Sequence, residues 1–83
     1  MDLRFVIFDV TKPLMSDYPV IKSDTGQMAV RIYLDSIGEN DTKFKKGGGF
    51  ARISAQPIQL KDGIKYRHPN KRTVWYSEIK QLF

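Results

Sequence analysis

The sequence predicts an all-β, mainly antiparallel fold, a small barrel of five strands, on three observations. Turn-forming residues recur at short intervals, at Lys12-Pro13, Tyr18-Pro19, Asp24-Thr25-Gly26, 38–41, 47–49, Asp62-Gly63 and His68-Pro69-Asn70, which leaves room for strands rather than long helices. Residues 27–34 alternate, with Met28, Val30, Ile32 and Leu34 set against Ala29, Arg31, Tyr33 and Asp35, the period of a strand with one buried face. The 83 residues suffice for one domain, 1–83, around one modest core.

The elements follow in order. Residues 3–10 are apolar on both sides at Phe5, Val6, Ile7 and Phe8, as a central strand would be. The second strand is 27–34. The third is 50–60, with Pro57 as a bulge because proline cannot donate to a ladder. Residues 64–67 form the fourth. Between the third and fourth, side-chain parity favours a three-residue loop Lys61-Asp62-Gly63, which pairs Leu60 with Ile64 and Ile58 with Tyr66 and keeps one face apolar. The turn His68-Pro69-Asn70-Lys71 leads to the fifth strand, 72–76. Symmetric pairing would then set Thr73 and Trp75 on the core side, and Arg67 opposite Arg72. Like charges so placed repel unless an anion lies between them. The closing stretch 74–82 reads as strand, short C-terminal helical turn and final apolar segment. In its apolar spacing it resembles the ending of small Src-homology barrels, so the expected barrel is oligonucleotide-binding-like or Src-homology-like.

Composition narrows the functional classes. The chain has no cysteine, which excludes disulfides, thiolate catalysis and cysteine-based metal sites. The apolar run 3–10 is interrupted by Arg4 and Asp9, lacks a basic leader and is too short to span a bilayer. The expectation is therefore a cytoplasmic protein without signal peptide or membrane anchor.

Charge divides near Thr42. Residues 1–42 carry four cations against seven acids, net −3, and residues 43–83 carry ten against two, net +8. Such asymmetry points to an anionic partner or to head-to-tail self-association, as a homodimer or larger assembly. The basic half also interleaves cations with rings. Single-strand grooves use cations to follow phosphates and aromatic faces to stack bases. The expected contacts are Lys43, Lys45, Lys46, Arg52, Lys65, Arg67, Lys71 and Arg72 on phosphates, with Phe44, Phe50 and Tyr76 as stacking rings. Glycines 47–49 make the basic segment 43–50 a mobile wing. This glycine run matches neither phosphate-binding fingerprint.

No constellation points to catalysis. His68 is the one histidine and precedes a proline in a turn. No serine has a nucleophile's context, and Asp35, Glu39 and Asp41 fit no calcium loop. No enzyme activity, metal or cofactor is expected. The sequence thus predicts a small protein that binds single-stranded DNA or RNA by backbone electrostatics and stacking. In size and composition it is similar to the small helix-destabilising proteins of phages, whose fold is oligonucleotide-binding. The alternative is a protein-binding module or a small inhibitor that covers an acidic face of a host enzyme.

Overall fold

The computed structural model describes residues 3–12, 18–48 and 50–79. In chain order its elements are β1 (Arg4–Asp9), β2 (Val20–Lys22), α1 (Gly26–Ser36), β3 (Phe44–Lys46), β4 (Ile53–Lys61), β5 (Ile64–Arg67) and β6 (Val74–Glu78), with a 3-10 turn at Asp41–Lys43. The strands form one antiparallel sheet in the order β2-β1-β4-β6-β3, with β5 also paired to β4. The fold is mixed α/β.

This corrects the all-β expectation at residues 27–34, which are helical. Gly26, Ala29, Val30, Tyr33 and Leu34 are buried, the i, i+3, i+4, i+7, i+8 stripe of an amphipathic helix. Met28 and Ile32, expected on a buried strand face, are exposed. Local signals agree with the helix. The Thr25 hydroxyl accepts from the Met28 amide at 3.1 Å as N-cap. At the other end Gly38 takes φ +76°, and its amide and that of Glu39 donate to the Asp35 and Leu34 carbonyls, a Schellman closure. Strand alternation fitted equally well because six of the seven residues 28–34 are apolar or aromatic.

The expected barrel is corrected too. The sheet stays open, with β2 and β3 as its two ends. The segment that would have supplied a further strand lies instead as α1 across β1, β2 and β4. That face holds the core: Phe5 and Ile7 of β1, Ala29, Val30, Tyr33 and Leu34 of α1, Ile53 and Ala55 of β4, with Phe44 and Tyr76 beside them. β1 lies between β2 and β4, the interior place its two-sided apolarity predicted.

The β4–β5 hairpin closes with two residues, not three. Lys61 pairs with Ile64, Leu60 with Lys65 and Ile58 with Arg67, and Asp62 and Gly63 take φ +54° and +77°, the type I′ geometry that Asp-Gly favours. Side-chain parity selects a register only where one face is buried. All four residues of β5 are exposed, so turn chemistry alone sets the register. Pro57 makes no bulge in the assigned strand. It falls where the partner along one edge of β4 changes from β6 to β5, and its carbonyl accepts from the His68 amide at 2.9 Å. Residues 68–73 form an excursion between β5 and β6, which both pair with β4 rather than with each other, so Arg67 and Arg72 are not the cross-strand partners expected. Of the expected C-terminal helical turn, Ser77 and Glu78 belong to β6, and residues 80–83 lie outside the described residues. Among the described residues, no helix is long and apolar enough to cross a membrane.

Candidate nucleic-acid interface

Strand register sorts the basic half between two faces. On the side of α1, Arg52 is the hub of an ion network. Its Nε lies 3.4 Å from Asp9 Oδ1, its Nη1 2.5 Å from Glu78 Oε1 and its Nη2 2.9 Å from Glu39 Oε1. The guanidinium also stands over the Phe44 ring, 5.3 Å from its centroid. Burial works against charge on Asp9, but hydrogen bonds from the Tyr33 hydroxyl at 2.7 Å, from the Thr11 amide and hydroxyl, and from Arg52 outweigh it and hold its pKa below the ordinary value. Burial and the bond to Asp9 push Tyr33 up to about 12.

Three expected contact residues are thereby withdrawn from the surface. Arg52 is neutralised by three carboxylates, so it has no charge to spare for a phosphate. Phe44 and Tyr76, expected to stack bases, are only 7% and 8% exposed. Both belong to the core because their register turns them toward α1.

The opposite face is different. Pairing of Phe8, Ser54 and Trp75 across β1, β4 and β6 puts all three there, together with Lys45, Lys65 and Arg67. The middle of this face is closed by Val6 and Ile58, both buried, and by Phe8, whose ring meets that of Tyr18 at 4.5 Å. Toward β6 it opens into a hollow of about 570 Å³, walled by Gln56, Arg67, Arg72, Thr73 and Trp75. Trp75 is 48% exposed. The excursion 68–73 adds Lys71 beside the same two arginines, and the His68 Nδ1 accepts from the Asn70 amide at 3.2 Å to brace the turn.

Beyond the other end of β6, Phe50 is 93% exposed and borders a second hollow with Lys45 and Ser77. Gly47 is tied down there: its amide donates to the Trp75 carbonyl at 2.8 Å, and its carbonyl accepts from the Ser77 hydroxyl at 2.6 Å. Gly48, at φ +98°, lies so close to Ser77 that a Cβ would come within 2.7 Å of Oγ. Gly49 lies outside the described residues.

Lys45, Phe50, Arg67 and Arg72 thus come to the borders of two hollows, with Lys71 beside the two arginines, while Lys65 lies along β5. Lys43 sits in the 3-10 turn, and Lys46 shares the parity of Phe44, away from Lys45. None of Lys43, Lys45, Lys46, Lys61, Lys65, Arg67, Lys71 and Arg72 makes an ion pair among the described residues. That leaves their charge available to an outside anion. Trp75, expected on the core side, faces solvent instead. Its neighbours Val74 and Tyr76 are as apolar as it is, so alternation carried no signal for which of them faces solvent. Among the described residues no cluster of acids or histidine has the makings of a metal site. Comparison with protein-family models, with curated proteins and with solved structures finds no match to this chain.

Proposed function

We propose that the chain binds single-stranded nucleic acid across the sheet face opposite α1. The reading rests on one observation: two arginines that make no ion pair among the described residues, Arg67 and Arg72, share a hollow with a half-exposed indole, Trp75. A base stacks on Trp75, and its phosphate meets the two guanidiniums that line the same hollow. Lys71 strengthens the same field. Toward the other end of β6, Lys45 and Phe50 offer a second cation and ring for an adjoining nucleotide. The hollows hold no base-edge reading device comparable to a helix in a groove, so affinity comes from charge and stacking and tolerates sequence.

Anisotropy of a labelled oligonucleotide, titrated at several salt concentrations, tests this. Binding weakens steeply with salt, Trp75→Ala costs about 1–3 kcal/mol, and Arg72→Ala reduces the salt slope by about 0.7. Binding to neither single strands nor duplexes, or affinity indifferent to salt and to Trp75, would refute the proposal.

A further inference from the structure

The β4–β5 arm and the outer ridge of α1 are each apolar surfaces that no other described residue covers, and they match. On the arm, the register puts Ile64 and Tyr66 on one face with Lys61 and Gln59 beside them. Ile64 is 56% and Tyr66 47% exposed. A two-stranded ribbon with so much apolar surface in water is poorly stabilised by itself. On α1, Met28 and Ile32 stand one turn apart on the solvent side, with Asp24 before them and Asp35 after. Residues i and i+4 of a helix are separated by about 6 Å along its axis, and residues i and i+2 of a strand by about 6.7 Å, so the two apolar pairs have the same spacing. Their flanking charges are opposite. Lys61, beside Ile64 on the arm, and Asp24 and Asp35 at the ridge make no ion pair within the chain among the described residues.

We infer that the arm of one copy docks on the α1 ridge of a second copy, with Ile64 and Tyr66 against Met28 and Ile32, and Lys61 toward the helix acids. The contact joins two different surfaces, so it is heterologous and propagates head to tail unless a rotation closes it into a ring. It leaves the Trp75 hollow, on the other face of the sheet, uncovered.

The test is sedimentation of the nuclease-treated full chain over a wide concentration range, without nucleic acid. The wild type grows in mass with concentration. An arm variant, Ile64→Ser with Tyr66→Ser, and a ridge variant, Met28→Ser with Ile32→Ser, each lose at least tenfold in association constant. Their equimolar mixture forms a one-to-one dimer and stops, because one intact arm meets one intact ridge. Since the chain has no cysteine, a second measurement is clean: mixed Ile64→Cys and Ile32→Cys proteins oxidise to the mixed dimer in preference to either like pair. A monomeric wild type at all concentrations, a ridge variant that associates like the wild type, or like pairs cross-linking as readily as the mixture would each overturn the inference.

Discussion

Replacing Arg52 with alanine removes the cation shared by Asp9, Glu39 and Glu78 and leaves a buried carboxylate behind. The Asp9 side chain is 2% exposed and that of Arg52 13%, whereas Glu39 and Glu78 are 34% and 49% exposed. Breaking a buried pair from one side costs about 3–5 kcal/mol. Asp9 keeps its donors Tyr33 and Thr11, which puts its share near the lower end, and the solvent-screened Glu78 adds at most about 1 kcal/mol. The expected loss is therefore about 3–4 kcal/mol, a large part of the 5–15 kcal/mol typical of a domain. For a chain of this size it lowers Tm by roughly 12–30 °C. The pH dependence follows from the direction of the Asp9 shift. Its folded pKa is depressed below 3.8, so the stability it contributes is present above that value and is lost as pH falls through the folded pKa. In Arg52→Ala the acid limb of the stability curve moves to higher pH, because the carboxylate has lost one partner. Urea titrations of both proteins across the acid range measure midpoint and limb together. A loss below about 1 kcal/mol with an unmoved acid limb would refute the assignment of Arg52 as the hub.

Two tyrosines give a contrasting pair. Tyr33→Phe leaves Asp9 Oδ2 without its donor and costs about 1–3 kcal/mol. With its folded pKa raised to about 12 from 10.0, Tyr33 contributes stability that is complete below pH 10 and lost as pH rises through 12, so the variant shows a shallower alkaline decline in thermal melts. Tyr76→Phe removes a buried hydroxyl with no hydrogen-bond partner among the described residues and leaves stability unchanged or raises it by up to about 1 kcal/mol. At the start of α1, a Cβ on Gly26 would come within 2.5 Å of Val74 Cγ2. Gly26→Ala therefore costs about 1–3 kcal/mol, and Val74→Ala in the same chain restores part of it, which a double-mutant cycle of denaturant midpoints reads out.

Much of the strand set was legible. The apolar run of β1, the limits of β5 and the apolar stretch of β6 needed only neighbouring residues, since pleat and period are local properties. The helix was legible in principle, through the Thr25 cap, the stripe 26, 29, 30, 33, 34 and Gly38, but the strand period fitted the same apolar residues. Only packing separates the two, by burying Ala29 and Tyr33 and exposing Met28 and Ile32. The hairpin shows the converse. Asp62-Gly63 states its own turn type, and face parity has no hold on the register because the core does not reach β5.

The candidate site divides along the same line. By itself the sequence determined the stock of charges and rings, the basic excess after Thr42, the absence of cysteine and the local turn chemistry, because each is a property of residue type or of near neighbours. Which cations remain available was a tertiary matter. Arg52 looks like Arg67 and Arg72 in the sequence, yet its acids come from positions 9, 39 and 78, brought together by β1, the end of α1 and β6. Trp75 and Tyr76 are adjacent and chemically alike, yet one ring faces solvent and the other the core. Pairing of Trp75 with Ser54 and of Tyr76 with Ile53 across the sheet makes that choice, and long-range register is not written in the residues it separates.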